Sequence, residues 1–211
     1  LSSVVKAATD AGHAVVARGG GMSYTSGYSP REEGTVMIDM ARMNRLIELN
    51  REDMYVTVEA GMSWKALYEA LADTGLATPY WGTLSGLHAT VGGGVSQNSI
   101  FWGSGRHGTA ADSVLGLEVV VADGTVLTTG SAAQRRARPF FRHFGPDLTG
   151  LFTGDCGAFG VKATVTLRLV PVLPGKAFGS WAFEAYAPMT RAMSEISRRG
   201  LATECFGFDP Y

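Results

Sequence analysis

Cysteine is scarce in this chain. Cys156 and Cys205 are its two cysteines in 211 residues, too few for a disulfide framework and not spaced as a CxxC pair. That usage points to a reducing, cytoplasmic setting. Four histidines (His13, His88, His107 and His143) are scattered singly, without the spacing of a metal site. No apolar run approaches the roughly 20 residues that cross a bilayer. No charged-then-apolar opening marks a secretion signal. Formal net charge is −1 with both signs interspersed, so no basic run exists to neutralise a nucleic-acid backbone. Hydrophobic content of 45% and charged content of 18% suit a folded chain of one domain, or one domain and part of another.

Glycine is what the chain has in excess. Its 28 glycines are about twice the usual share of roughly 7%. They cluster in loops without a period, which excludes collagen-like and low-complexity readings. Two clusters each follow an apolar run. The first reads Ala14-Val15-Val16-Ala17-Arg18-Gly19-Gly20-Gly21-Met22-Ser23-Tyr24-Thr25-Ser26-Gly27, the second His88-Ala89-Thr90-Val91-Gly92-Gly93-Gly94-Val95-Ser96. Without Cβ atoms such a backbone reaches φ > 0 and lets a ligand approach its amides. Successive exposed N–H groups form a concave anion site, to which neighbouring Ser and Thr hydroxyls add donors. Two such loops, far apart in sequence, suit the two phosphates of a dinucleotide.

The apolar periodicity organises the rest. Leu1, Val4, Val5, Ala8 and Ala11 recur at helical spacing up to Gly12, which predicts a helix at the very start and an absent strand before it. Strands are expected at Ala14–Ala17, Thr35–Met40 and Tyr55–Glu59. Ser63 caps a predicted helix with Trp64, Leu67, Tyr68 and Leu71 on one face, closed by Gly75. Pro79–Gly108 reads as loop. Val114–Val121 and Val126–Thr128 flank Ala122-Asp123-Gly124, a hairpin signal, and Ser131–Arg142 reads as an exposed connection. Along Val161–Val170 the residues Val161, Ala163, Val165, Leu167 and Leu169 alternate with Lys162, Thr164, Thr166 and Arg168, which predicts one buried and one wet face. Pro171, Pro174 and Gly175 mark a boundary. Beyond it a strand at Phe178–Tyr186, a helix bearing Met189, Ala192, Met193 and Ile196, and a strand at Ala202–Phe208 are expected. A β-α-β piece this small cannot cover its own sheet, so it reads as the opening of a second domain.

One GxGxxG match occurs, Gly103-Ser104-Gly105-Arg106-His107-Gly108. The next strand begins too soon to leave room for a crossover helix, so this is no Rossmann fingerprint. The first loop carries Tyr24 in the third glycine's place, and no Walker A sequence is present.

Arg18-Gly19-Gly20-Gly21-Met22-Ser23-Tyr24 resembles the first pyrophosphate loop of the FAD-linked oxidases related to vanillyl-alcohol oxidase and p-cresol methylhydroxylase. Ala89-Thr90-Val91-Gly92-Gly93 resembles their second loop. Gly108 through Asp112, with Val114–Val120 and Ala122-Asp123-Gly124, resembles the stretch that follows. Asp147 through Val161 is similar to the block beside the flavin ring. These matches keep family order over about residues 1–172, and the nearest branch is the D-lactate dehydrogenase and glycolate oxidase subunit group.

The resemblance implies an α+β chain: a two-subdomain FAD-binding fold over residues 1–173, then the start of an α+β cap domain over residues 174–211. It implies non-covalent FAD, because Met22 stands where relatives carry a flavin-linking histidine. The activity implied is hydride transfer from a 2-hydroxy acid to the flavin, with the catalytic segment of that branch lying outside this sequence, so that the chain alone is not expected to turn over. Implied cofactor contacts are Arg18, Gly19, Gly20, Gly21, Met22, Ser23 and Tyr24 in the first loop; Thr90, Val91, Gly92, Gly93 and Ser96 in the second; Gly103, Arg106, His107 and Gly108; and Gly157, Phe159, Gly160 and Val161. Arg18 and Arg106 are phosphate neutralisers or plain surface residues, and His107 is a pocket residue or a structural one. Cys156, near the implied flavin position, is expected to be a small buried thiol rather than a cysteinyl link. His88 reads as structural, Asp112 as a residue that fixes its loop. Tyr80, Trp81, Phe101 and Trp102 either face the ligand or pack. Expected partners are a small-molecule substrate and an electron acceptor of unspecified kind, with no nucleic acid and no membrane span; a homo-oligomer is left open. Two rivals are a degenerate flavin-fold protein with a binding or structural role, and a relative of UDP-N-acetylenolpyruvoylglucosamine reductase. The Leu148–Gly160 block favours the oxidase side.

Overall fold

A computed structural model describes residues 1–80 and 82–208; Trp81 lies outside the described residues. Helix α1 (Ser2–Asp10) buries Val5 and Ala8, as its periodicity predicts, while Val4 stays exposed. The Ser2 hydroxyl donates to the Gly124 carbonyl, and the Thr9 hydroxyl to that of Ala122 at 2.6 Å, so α1 is latched to a distant turn. Strands β1 (Val15–Arg18) and β2 (Val36–Asp39) pair in parallel with Val15 opposite Val36, and the first glycine loop runs between them. Strands β3 (Leu46–Asn50) and β4 (Tyr55–Glu59) form an antiparallel hairpin. Its first strand escapes sequence reading because a bulge between Leu46 and Glu48 breaks the period of two.

Helix α2 (Trp64–Leu71) starts where predicted, with the Ser63 hydroxyl accepting from the Ala66 amide at 3.1 Å. Trp64, Leu67 and Leu71 are buried, whereas Tyr68, at the flank of the stripe, is half exposed. After β5 (Leu76–Ala77), the stretch read as loop holds two short helices, α3 (Val91–Ser96) and α4 (Ser104–His107). Glycine is a poor helix former, which hides α3 from the sequence. Packing makes it helical: a β-carbon on Gly92 would lie 2.6 Å from that of Ala60, and one on Gly94 2.9 Å from Trp64 Nε1.

Strands β6 (Val114–Val120) and β7 (Val126–Thr128) form the hairpin promised by Asp123-Gly124, with Gly124 at φ +83°. Helix α5 (Leu148–Leu151), β8 (Val161–Arg168), β9 (Val170–Pro171) and α6 (Tyr186–Arg198) complete the order. The main sheet runs β3-β4-β8-β6-β7, antiparallel throughout, and β9 returns to β5. Val56, Val58, Leu117, Val119, Val165 and Leu167 join Trp64, Leu67, Val91 and Val95 in the core.

Three expectations are corrected here. The alternate face of β8 is not wet: Lys162 is 4% and Thr166 5% exposed. The second face of β8 is covered as well, where α3 and the turn before β8 pack near it, and its polar groups find partners, Thr166 on the Thr57 hydroxyl at 2.9 Å and Lys162 on Asp155. The strands expected at Phe178–Tyr186 and Ala202–Phe208 are irregular chain, because no ladder meets them among the described residues; Phe178 is 91% exposed. Only the helix between them forms, with Met189 and Met193 against Gly207. Finally, the connection at Ser131–Arg142 is exposed at Arg135, Arg136 and Arg138 but anchored by buried Ser131, whose hydroxyl donates to the Arg138 carbonyl at 2.6 Å.

Leu167 is fully buried at the centre of the sheet. Leu167→Ala should cost about 2–5 kcal/mol in urea unfolding, the range for a buried Leu-to-Ala cavity. A second prediction concerns acid. The Arg45 guanidinium, 2.8 Å away, holds the Glu59 carboxyl below its ordinary value of 4.5, and Arg142 holds that of Asp147 below 3.8. Groups whose folded value is depressed contribute stability that is complete above the unfolded value and lost as pH falls through the folded one. Thermal melts should therefore hold near neutrality and fall progressively below about pH 4.5. Glu59→Gln should remove part of that acid slope.

Candidate functional site

Three segments converge on one cleft of about 400 Å³: the first glycine loop, helix α3, and the turn that leads into β8. The first loop leaves β1 at Arg18 and packs directly on the chain entering α3. A β-carbon on Gly20 would lie 1.9 Å from the His88 carbonyl oxygen, and one on Gly19 2.3 Å from Thr90 Oγ1. Gly21 follows at φ +69°, the left-handed conformation that glycine adopts without cost. Beyond this point the loop turns its backbone outward. The amides from Gly19 to Tyr24 donate to no acceptor among the described residues; the next, that of Thr25, turns back to Ser23 Oγ at 3.2 Å.

Helix α3 contributes differently from the expectation of a second amide cradle. Its first amides are already engaged: Val91 donates to the Met62 carbonyl, Gly92 to that of Ala60, both at 2.8 Å, and Gly93 to the capping Thr90 hydroxyl at 3.1 Å. What α3 presents to the cleft is a wall without side chains at Gly92 and Gly93, with Ser96 and Gln97 beside it.

The turn from Gly154 to Gly160 is clamped to the end of α3. Gly154 donates to the Val95 carbonyl at 3.0 Å and Cys156 to that of Ser96 at 2.9 Å. Inside the turn, Asp155 accepts from Gly157 at 3.0 Å and from Lys162 Nζ at 2.7 Å. The Lys162 side chain is 3% and that of Asp155 0% exposed. Burial pushes the Lys162 ammonium below its ordinary value, against the pull of Asp155. Gln97 ties the segments together, accepting from the Thr25 hydroxyl at 3.2 Å with Cys156 Sγ at 3.9 Å.

Of the residues expected to hold a cofactor, Gly19, Gly20, Gly21, Met22, Ser23, Tyr24, Thr90, Gly92, Gly93, Ser96, Gly157 and Gly160 line this cleft. The others lie outside its lining. Arg18 pairs with Asp39 at 3.2 Å. Val91 and Val161 are core residues, 0% and 5% exposed. Phe159 is exposed. Gly103, buried, would put a β-carbon 2.0 Å from the Pro79 carbonyl. Gly108 faces Asp112, whose Oδ2 accepts from the Thr109 amide and hydroxyl, so Asp112 does fix its loop. Arg106 is exposed on α4. His107 beside it is half-buried, and burial, then Arg168 and Arg106, lower its value, leaving it neutral at pH 7. Cys156 is exposed with φ +52°, not the buried thiol expected, because the turn rolls it outward. Tyr80 packs edge-on against Trp64 at 5.1 Å; Phe101 lines the cleft and stacks near Trp102 and Phe206. Sequence reasoning missed Gln97 and Lys162, the first lacking any motif and the second disguised by its place in an alternating strand.

A loop of unengaged amides facing a wall free of side chains defines a protein built to hold a nucleotide-type cofactor through its backbone, outside the Rossmann and P-loop patterns. The FAD binding domain family matches residues 1–130, and the chain belongs to that family, with FAD as its cofactor. An uncharacterized FAD-linked oxidoreductase of Mycobacterium tuberculosis (strain CDC 1551 / Oshkosh) is 31% identical over 205 residues, 97% of this chain and 42% of that protein. A probable mitochondrial D-lactate dehydrogenase of Danio rerio is 39% identical, covering 66% of this chain and 27% of the relative. The glycolate oxidase subunit GlcD of Bacillus subtilis is 31% identical, covering 74% and 32%. The chain thus spans less than half the length of these relatives. Among solved structures, an alkyldihydroxyacetonephosphate synthase shares the fold with a TM-score of 0.69 at 22% identity, over 82% of this chain and 32% of that one.

The contact at Gly20 makes a prediction. Gly20→Ala should cost about 1–3 kcal/mol through overpacking and reduce the FAD retained on gel filtration. Gly175→Ala, where a β-carbon meets nothing within 4 Å, should change neither.

Proposed function

We propose that this chain is the FAD-binding part of an oxidoreductase that takes a hydride from a 2-hydroxy acid of the D-lactate or glycolate class. The observation that carries this reading is the run of unengaged amides from Gly19 to Tyr24 across the cleft from Gly92 and Gly93. A pyrophosphate is an anion with many acceptors and no donors, so a row of N–H groups satisfies it without a formal charge. The wall opposite carries no side chain at Gly93, where a β-carbon would meet only the Thr90 hydroxyl, and this lets a ligand pass close to the backbone. In this reading Gly19 to Tyr24 hold the phosphates, Gly92, Gly93 and Ser96 form the opposing wall, and Gly157 and Gly160 flank the inner end. Residues Arg18, Val91, Gly103, Arg106, His107, Gly108, Phe159 and Val161 lie outside the lining of the cleft.

FAD, when bound, supplies the two-electron acceptor, and the protein supplies position and electrostatics. Met22, exposed at the cleft, offers a thioether, which has no N–H or S–H proton to lose on forming a stable neutral bond to the cofactor; this supports non-covalent binding. The arrangement is the two-subdomain form of the vanillyl-alcohol oxidase type over residues 1–173, with residues 174–211 opening a substrate-side cap. Among the described residues no helix is long and apolar enough to cross a membrane. The two free cysteines suit a reducing, cytoplasmic setting.

The substrate class rests on the relatives named D-lactate dehydrogenase and glycolate oxidase subunit. The test uses the full-length protein. Its visible spectrum should show oxidised flavin, released to the supernatant on acid precipitation, and anaerobic D-lactate or glycolate should bleach it. A colourless protein that takes up no FAD would sink the reading. Flavin that stays in the pellet would overturn the non-covalent part alone and direct attention to Cys156.

A further inference from the structure

Lys162 is the one residue with a formal charge at neutral pH among the described residues that line the cleft. It is also one of the most buried, 3% exposed, with its ammonium 2.7 Å from Asp155 Oδ1. Asp155 does not itself line the cleft. Of the pair, the lysine belongs to the cleft lining and the carboxylate lies behind it. The carboxylate is fixed in turn by the Gly157 amide at 3.0 Å. An ammonium has three N–H donors, and Asp155 takes one; among the described residues no other acceptor meets Lys162 Nζ. Keeping a lysine buried costs desolvation energy, seen in the downward push on its ionisation. A methionine of similar length would fill the same space without that cost. The charge itself needs an explanation.

We propose that Lys162 tunes the redox potential of the cofactor, favouring its reduced form over its oxidised form. This rests on the FAD reading above. Transfer of a hydride to a neutral oxidised flavin adds two electrons and one proton, so the ring gains a negative charge. The phosphates carry the same charge before and after. A fixed cation held out of water lowers the energy of the state that has gained charge, and it does so without reorganising. Asp155 holds it in place and keeps it protonated. Lys162 is thus a redox-tuning residue, and Asp155 its positioning partner.

The experiment compares the intact FAD-loaded protein with Lys162→Met and with the paired variant Asp155→Asn/Lys162→Met. The paired variant removes the cation without leaving a buried carboxylate unpaired, so it keeps the test alive if the single variant misfolds. Midpoint potentials come from anaerobic dye equilibration, and the affinity for oxidised FAD from flavin fluorescence. Expected is a tenfold or greater loss of preference for reduced over oxidised FAD, a potential lower by about 30 mV or more for this two-electron couple. Lys162→Arg should recover most of that potential. A paired variant that holds FAD at the parent's potential overturns the proposal. So does equal weakening of both oxidation states, which would place the ammonium on a phosphate instead. A parent protein that takes up no FAD overturns the underlying reading, and this one with it.

Discussion

Gly20 meets the His88–Ala89 backbone, and Gly19 the Thr90 side chain, at distances that leave no room for a β-carbon, and the other contacts of the cleft are built out from that approach. Thr90 serves both sides of it. Its hydroxyl caps α3 through the Gly93 amide, a contact of the kind worth about 1 kcal/mol, and the same oxygen fills the space a side chain on Gly19 would need. Any shift of the loop would therefore either uncap the helix or collide with it. The unengaged amides past Gly20 keep their orientation because the backbone before them has nowhere else to lie.

The second support comes from the sheet. Strand β8, paired on both edges, holds Lys162 and Gly160 at the base of the cleft, and the turn before it is bonded to α3 through Gly154 and Cys156. Gln97 then reaches from α3 to the first loop through Thr25. Loop, helix and turn are distant in sequence, yet the helix bonds directly to each of the other two, and Gln97 at its end meets both. Helices and strands of the core thus fix a site made almost wholly of irregular chain.

Where one periodicity runs uninterrupted, the fold was legible in the residues. Helices α1 and α2, strand β4 and the β6–β7 hairpin form within a residue or two of their predicted bounds. Strand β3 was hidden by a bulge that breaks the alternation, and α3 by glycines whose low propensity is overridden by contacts with Ala60 and Trp64. The alternation of β8 was read correctly, but its polar face was given to water. A period of two distinguishes faces without saying whether the second is covered, and that depends on neighbours remote in sequence. Phe178–Tyr186 shows the converse: a strand-like composition without a partner strand stays irregular. The glycine strings located the cleft for a reason only half right. Gly21 does adopt positive φ, whereas Gly19, Gly20, Gly92 and Gly94 are glycines because the Thr90 hydroxyl, another backbone or a ring stands where a side chain would go.

The lining of the cleft, dipolar apart from Lys162, bears on how the ligand arrives and stays. Backbone N–H groups act over a few ångströms and do not project a field into solvent as a cluster of arginines would. Ions in the medium, which screen interactions between exposed charges over a Debye length of roughly 10 Å at 0.1 M salt, have little to screen here. A holder of this design gains no long-range capture of its anionic guest. In the reading proposed above, its grip depends less on ionic strength than on local geometry and on how fully water is displaced.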